Sequence, residues 1–188
     1  MTTLRADAER NRERVLEHAT RVLTHDPGAG VAEVAHAAGV GRATLYRHFP
    51  TREALLAGIY DRALQESETA IAASRIAEGT AAEALERLVA ALLEVGDRYR
   101  FLLADDAFDL SEERRRAREA RLRAPLLALI DRGQASGELS RSLDPGWMLT
   151  AFGAVLLAAQ REIAEGRLER GPAARIVTAT LLHGISTV

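Results

Sequence analysis

Apolar residues recur at helical spacing along most of the chain, and this period restricts the possible folds more than any other feature of the sequence. The repeat runs through Val15, Ala19 and Val22 near the N-terminus and through Leu85 and Leu88 further on. Spacings of three and four residues place side chains on one face of a helix, whereas a strand alternates every second residue. We find no strand or hairpin signal, so the sequence predicts an all-α protein of about nine helices.

Caps and prolines predict where several of these helices begin and end. Thr51 is expected to cap a fourth helix that continues to about residue 77, and Pro125 is expected to kink or restart a later one. Asp144-Pro145 and Pro172 are expected to start the last two helices. Three short helices therefore precede a connecting helix and a bundle of long ones, which predicts a domain over residues 1–52 and a helical domain over residues 53–188.

Composition excludes several classes of function. The chain has no cysteine, which excludes disulfides, zinc-thiolate sites, iron–sulfur clusters and a thiol nucleophile. The longest apolar run, Trp147–Ala159, is broken by Thr150 and is too short to span a bilayer, and Met1–Arg14 is too polar for a signal peptide. We therefore expect a soluble cytoplasmic protein that contacts no membrane.

No metal, cofactor or catalytic group is predicted. Glu33 and His36 have the Glu-x-x-His spacing of di-metal helical bundles, but the sequence holds no second copy of the motif. Exposure on a short helix explains the pair better. An enzyme would need a nucleophile–base pair or a metal set in the bundle, and that region offers little apart from Glu, Asp and one His, so we expect no enzyme activity.

The stretch from Val31 to Leu56, VAEVAHAAGVGRATLYRHFPTREALL, has the pattern of two short helices joined by a tight turn. Gly39 suits a turn that requires positive φ, and the small Ala35 lets the two helices cross closely. Val34 and Leu45 are expected in the core between them. This arrangement predicts a helix-turn-helix unit.

The run GVGRATLYRHFPTREALL resembles the signature of the tetracycline-repressor (TetR) family of transcriptional regulators. The matching elements are the Ala-Gly-Val turn, the Thr-Leu-Tyr-Arg-His-Phe recognition helix and the polar start of the next helix. Gly41 departs from the pattern, because Ser or Thr often caps the recognition helix there. The resemblance implies a regulator that binds double-stranded operator DNA.

A recognition helix places its N-terminal residues against base edges in the major groove. Arg42 can read guanine or hold phosphate, and these alternatives remain open. Ala43 and Thr44 can present methyl groups to thymine, and the resemblance implies phosphate contacts by Tyr46 and His48. Two arginines are further candidates for DNA contact: Arg47 and Arg52.

The scarce aromatic residues of the second domain have two interpretations. In a bundle they are most simply core, but ligand sites are often aromatic-lined pockets between helices. The resemblance implies a pocket for a small apolar or amphipathic effector in this region. The candidates are Tyr99, Phe101, Phe108, Trp147, Met148 and Phe152.

The last two predicted helices carry broad faces of small and apolar residues. Small residues let helices approach closely, and the resemblance implies a four-helix homodimer interface; packing within one subunit is the alternative. The interface candidates are Ala151, Ala154, Ala158, Ile176, Thr180 and Gly184.

These predictions describe a homodimeric repressor that is released from a near-palindromic operator by a small molecule. A DNA-binding regulator without an inducer is the main alternative, and an all-α enzyme is a remote one. The net charge of the chain is −2. Residues 1–52 hold eight arginines and six acidic residues, whereas acidic residues outnumber arginines over residues 53–188. This uneven distribution of charge fits a DNA-binding domain joined to an acidic helical bundle.

Overall fold

The computed structural model describes the backbone of residues 2–104 and 112–183, and the side chains of residues 10–102, 112, 116 and 120–183. Within these ranges the chain forms eight longer helices and one four-residue helix, without strands. None of the described helices combines the length and apolarity needed to cross a bilayer. The helices are α1 (Thr2–His25), α2 (Val31–Ala37), α3 (Arg42–His48), α4 (Arg52–Ala73), α5 (Ala81–Arg98), α6 (Phe101–Ala104), α7 (Glu112–Ser136), α8 (Pro145–Ala164) and α9 (Arg170–His183).

The predicted all-α fold is confirmed, and three residues that were predicted to begin or end helices have the expected geometry. Gly39 has a φ of +64° in the turn between α2 and α3. The Thr51 hydroxyl accepts a hydrogen bond from the Ala54 amide at 3.0 Å, and the Asp144 carboxylate accepts one from the Trp147 amide at 2.9 Å. Side-chain acceptors at these positions satisfy amides that have no partner in the first helical turn.

The end of α4 differs from the prediction, because the helix stops at Ala73 rather than near residue 77. Arg75 follows in the left-handed region, with a φ of 47°. The Arg87 guanidinium donates to the carbonyl oxygens of Ser74, Arg75 and Glu78 at 2.9, 3.1 and 2.7 Å. A distant side chain thus satisfies carbonyls of a turn that local sequence pattern did not reveal.

Two prolines also behave differently from the prediction. Pro125 lies inside α7 without interrupting it. Burial of Leu126 and Leu129 on the same helix offsets the missing hydrogen bond. Pro172 does not start α9, which begins at Arg170. It occupies the first turn, where an amide would lack a helical acceptor in any case.

The chain divides into two compact units. Unit 1 comprises Met1–Leu64 and Arg98–Leu110, and unit 2 comprises Gln65–Asp97 and Ser111–Val188. The border lies inside α4 rather than at residue 52, and a later segment returns to unit 1. The functional division predicted at residue 52 stays a prediction.

Unit 1 is built on a fully buried apolar core. In it α1 packs against α2, and α2 packs against α3. The turn after α5 is bonded to α1, because the Thr24 hydroxyl donates to the Arg98 carbonyl at 2.7 Å and the Arg100 guanidinium donates to the Thr24 carbonyl at 2.9 Å. The buried side chains include Val15, Leu16, Ala19, Leu23, Val34, Ala35, Leu45, Phe49, Leu55, Ile59, Tyr99 and Phe101.

Unit 2 has its own core, in which α8 packs against α7 and α9. Leu88, Val89, Leu129, Phe152 and Val177 are among its buried members. These residues lie on the helix faces that the period of the sequence marks as apolar.

A reciprocal cap starts α5 in unit 2. The Thr80 amide donates to the Glu83 carboxylate at 3.0 Å, and the Glu83 amide donates to the Thr80 hydroxyl at 3.2 Å. The hydrogen bond from the Thr80 amide, followed by that from its hydroxyl, lowers the pKa of Glu83, and the charge of Arg87 adds to the effect.

Candidate nucleic-acid interface and cavity

The turn between α2 and α3 sets the geometry of the candidate nucleic-acid interface. The Gly39 amide donates to the His36 carbonyl at 3.0 Å, and the Val40 amide donates to the Ala35 carbonyl at 3.1 Å. These bonds close α2 while the positive φ of Gly39 turns the chain toward α3. A side chain at Gly39 would strain this turn, because L-residues rarely adopt its backbone conformation.

Helix α3 separates a buried face from an exposed one. Leu45 is completely buried, and Phe49 at the end of the helix is almost so. Arg42, Ala43 and Arg47 are exposed, and Thr44 is half-buried. The side chain of Tyr46 is 48% exposed. The exposed face therefore carries guanidinium and hydroxyl groups without any acidic neighbour on the same helix.

His48 is placed differently from the exposed α3 residues. Its side chain is half-buried, and its Nε2 atom is buried without a hydrogen-bond partner in the described part of the chain. The ring lies 6.4 Å from that of Phe49 between centroids. Nε2 cannot meet a phosphate in this rotamer, so the predicted contact would need Nδ1 or a rotation of the ring.

Arg52 makes structural hydrogen bonds that the sequence did not predict. Its guanidinium donates to the Ala29 carbonyl at 2.7 Å and to the Pro27 carbonyl at 2.6 Å. Both acceptors lie in the loop between α1 and α2. The sequence signal for phosphate binding, an arginine at a helix N-terminus, is equally compatible with this structural contact. The predicted phosphate contact stays a prediction.

Phe49 fixes the start of α4 against α1. The Arg12 guanidinium lies over its ring, 5.5 Å from the centroid. A Cβ atom at Gly58 of α4 would lie 2.9 Å from the ring and 3.1 Å from Leu16. The missing side chain at Gly58 thus allows the close packing that holds the end of α3 in place.

Glu33 and His36 lie on the exposed side of α2. Both are exposed beside a groove of about 430 Å³ between α2 and α3 that Arg42 also lines. Among the described residues, no cluster of three or more His, Asp or Glu side chains is placed to bind a metal ion.

Unit 2 contains an apolar cavity of about 120 Å³ between α5, α7, α8, α9 and the loop before α8. Trp147, Met148 and Phe152, three of the predicted pocket residues, line it. Its lining is Ala81, Leu85, Leu88, Leu126, Leu129, Ile130, Leu139, Leu143, Trp147, Met148, Leu149, Ala151, Phe152, Leu181 and Leu182.

The other predicted pocket residues lie elsewhere. Tyr99 and Phe101 are buried in unit 1, and Phe108 lies outside the described residues. Leucines of α5 and α7 contribute to the lining instead: Leu85, Leu88, Leu126 and Leu129. Helical periodicity marks these leucines as buried but does not distinguish a cavity wall from a filled core.

The predicted dimerisation residues occupy neighbouring helices of unit 2. Ala154 and Ala158 of α8 are exposed, and Ala151 and Thr180 are half-buried. Ile176 of α9 is 45% exposed. Gly184 lies outside the described residues.

Comparisons with known proteins agree on one family. The family model described as "Bacterial regulatory proteins, tetR family" matches residues 15–59. The HTH-type transcriptional repressor LfrR of Mycolicibacterium smegmatis is 28% identical over 190 residues, covering 96% of this chain and 93% of the relative.

Solved structures of this family have a similar fold. The structure of LfrR from Mycobacterium smegmatis in complex with proflavine has a TM-score of 0.75 and 26% identity, covering 95% of this chain and 99% of that one. PfmR of Thermus thermophilus, a TetR family regulator, has a TM-score of 0.73 and 25% identity, covering 93% of this chain and 100% of that one. The similarity thus extends beyond the helix-turn-helix region to most of the chain.

Proposed function

Because the chain belongs to the TetR family of bacterial transcriptional regulators, we propose that it is a repressor that binds a near-palindromic operator as a homodimer and is released by a small molecule. Each subunit would place α3 in a major groove, with half-sites one helical turn or more apart. The proposed location is the cytoplasm, where the operator would be accessible.

The exposed face of α3 is the observation that carries this proposal. Arg42, Tyr46 and Arg47 are exposed around a helix whose Leu45 is completely buried. A purely structural helix pair would account for Leu45 but not for the exposed basic and hydroxyl groups. Arginine can bind guanine or phosphate through two parallel hydrogen bonds, and the tyrosine hydroxyl can bind phosphate.

Selection of bound sequences from a random DNA pool tests the operator proposal. We expect an enriched site with two related half-sites whose centres are at least one helical turn apart. The same selection with Tyr46→Phe should recover the same sequence at lower affinity, because a phosphate contact carries no direct base information. Recovery of no enriched motif at moderate salt would contradict the proposal.

Release by a small molecule is supported by two observations. Unit 2 holds an open apolar cavity, and the relative LfrR is known in complex with proflavine. A ligand shifts DNA occupancy only as far as its affinities for the two conformations differ. We propose α4, which contributes residues to both compact units, as the element whose position the ligand biases.

The proposed dimer interface lies on α8 and α9. Exposed alanines leave room for close helix approach, and the exposed Ile176 provides apolar surface to bury. Sedimentation of the wild-type chain at micromolar concentration should give a dimer. Ala154→Arg should shift it toward monomer, whereas Ala128→Arg on the exposed side of α7 should not.

A regulator without an effector is the second candidate function. A completely filled bundle core would favour it. The cavity of about 120 Å³ favours ligand control instead. A screen in which no small molecule weakens operator binding would restore the second candidate.

A further inference from the structure

The cavity of unit 2 is lined only by apolar side chains, which restricts the ligands that it can hold. None of its fifteen lining residues carries a charge or a hydrogen-bonding side chain other than the indole of Trp147 and the weakly accepting sulfur of Met148. Trp147 is 61% exposed and Leu143 is 45% exposed, so large apolar side chains also reach solvent at the edge of the cavity.

Gln134, a polar side chain beside this lining, is already bonded to the protein. The Gln134 amide donates to the carbonyl oxygens of Ser140 and Leu143 at 2.8 and 2.9 Å, and it also lies 3.6 Å from the Met148 sulfur. Its two donor positions are therefore in use.

The carboxylates that neighbour the lining in sequence serve as helix caps. Glu138 accepts hydrogen bonds from the Ala81 amide and from the Ser136 hydroxyl. Asp144 accepts one from the Trp147 amide. Turning either carboxylate toward a ligand would leave a helix terminus without its cap.

A charged ligand would therefore lose its hydration without meeting an opposite charge among the lining side chains. Desolvation of an unpaired charge is among the largest costs in protein energetics, whereas burial of apolar surface is favourable. The volume adds a second restriction. An engineered apolar cavity of about 150 Å³ stays dry and binds benzene, and the cavity of this chain, about 120 Å³, is slightly smaller.

We propose that the cavity binds a small, uncharged, apolar molecule of about the size of one aromatic ring, without a charged head group. This inference rests on the proposed function in placing the effector in unit 2, and it narrows the effector from apolar or amphipathic to neutral and apolar. Trp147 provides a direct signal for binding, because it is the only tryptophan of the chain.

The test compares three ligands of similar size that differ in charge. Toluene, benzylammonium and benzoate are titrated into the full chain without DNA, and binding is followed by Trp147 fluorescence and calorimetry. We expect saturable binding of toluene and at least tenfold weaker binding of both ions. Equal or tighter binding of either ion would overturn the inference.

Two variants locate the site by filling it from two different helices. Ala151→Leu on α8 and Leu85→Phe on α5 should each weaken toluene binding at least tenfold, with circular dichroism confirming that the variants fold. Ala128→Leu, an exposed position on α7 outside the lining, is the matched control and should bind toluene as the wild type does. Toluene binding that survives both filling variants, or no saturable toluene binding by the folded wild type, would overturn the inference.

Operator binding without any ligand separates this inference from the proposed function. A chain that binds toluene in the cavity but selects no DNA motif would contradict the proposed function and leave the cavity assignment standing. A chain that selects an operator and is released by one of the ions, but not by toluene, would contradict only the inference.

Discussion

Unit 1 presents its candidate functional side chains on one helix of seven residues, whereas unit 2 assembles its cavity from four helices and a loop. In unit 1 the core under α3 is completely buried and the polar groups face outward. In unit 2 the candidate ligand-binding surface is an incompletely filled part of the core itself. The exposed face of α3 therefore depends on tight packing beneath it, whereas the cavity exists because the core around it is not completely filled.

Equal deletions in the two cores should have unequal consequences, and this is the largest effect that we expect. Leu45→Ala and Leu88→Ala each remove a fully buried leucine, and each should lower the free energy of unfolding by about 2–5 kcal/mol. Leu45→Ala should also abolish operator binding, because it removes the support of α3. Leu88→Ala should retain operator binding and admit larger neutral ligands, because Leu88 lines the cavity.

Denaturant unfolding and electrophoretic mobility shifts measure the two quantities for each variant. If Leu88→Ala lost operator binding as completely as Leu45→Ala while remaining folded, the two cores would not differ in the way proposed.

We expect some arginines of unit 1 to stabilise the fold and others to contact DNA. Arg52→Ala removes two hydrogen bonds from a charged donor to loop carbonyls, so we expect a loss of roughly 1.5–3 kcal/mol in stability. Arg47→Ala, at an exposed position on α3, should leave the melting temperature within experimental error. Thermal unfolding followed by circular dichroism checks both. Unchanged stability of Arg52→Ala would reassign this side chain to DNA contact alone.

Arg42 provides a sharper test of base reading in unit 1. If it reads a base, Arg42→Ala should weaken specific binding by about 1–3 kcal/mol and relax one position in each half-site. If it holds only phosphate, binding should weaken for all sequences alike and the salt dependence should decrease. Affinities for the selected operator and for single-base variants distinguish the two outcomes. Unchanged affinity for every sequence would exclude both contacts.

The cap of α5 should give the smallest effect, and it belongs to unit 2 alone. The hydrogen bonds from Thr80 hold the pKa of Glu83 below its usual value of 4.5. The ionised carboxylate therefore stabilises the fold above that value, and the contribution is lost as the pH falls through the lowered pKa. Glu83→Gln should melt slightly below the wild type at pH 7, and the difference should vanish at acid pH. A difference that persists at pH 2 would exclude the carboxylate charge as its cause.

Sequence pattern predicted unit 1 more completely than unit 2, for a physical reason. The bounds of α2 and α3 and the turn at Gly39 depend on contacts between residues close in the chain, so a local motif contains them. The role of Arg52 was not predictable, because its loop acceptors lie more than twenty residues away.

The cavity was only partly predictable. Trp147, Met148 and Phe152 are close together on α8 and were predicted as lining. The leucines of α5 and α7 join them through contacts between helices distant in sequence. Tyr99 and Phe101 were predicted with them on aromatic character alone, which does not show to which unit a buried ring belongs.

Unit 1 is discontinuous along the chain, and this limits how the protein could be recombined with a relative. The segment after α5 is hydrogen-bonded to Thr24 and places Tyr99 and Phe101 in the buried part of unit 1. In a chimaera that takes only residues 1–64 from this chain, the relative's side chains would occupy the core positions of Tyr99 and Phe101 in unit 1. Transfer of operator specificity between relatives should therefore require exchange of residues 98–104 together with the N-terminal helices.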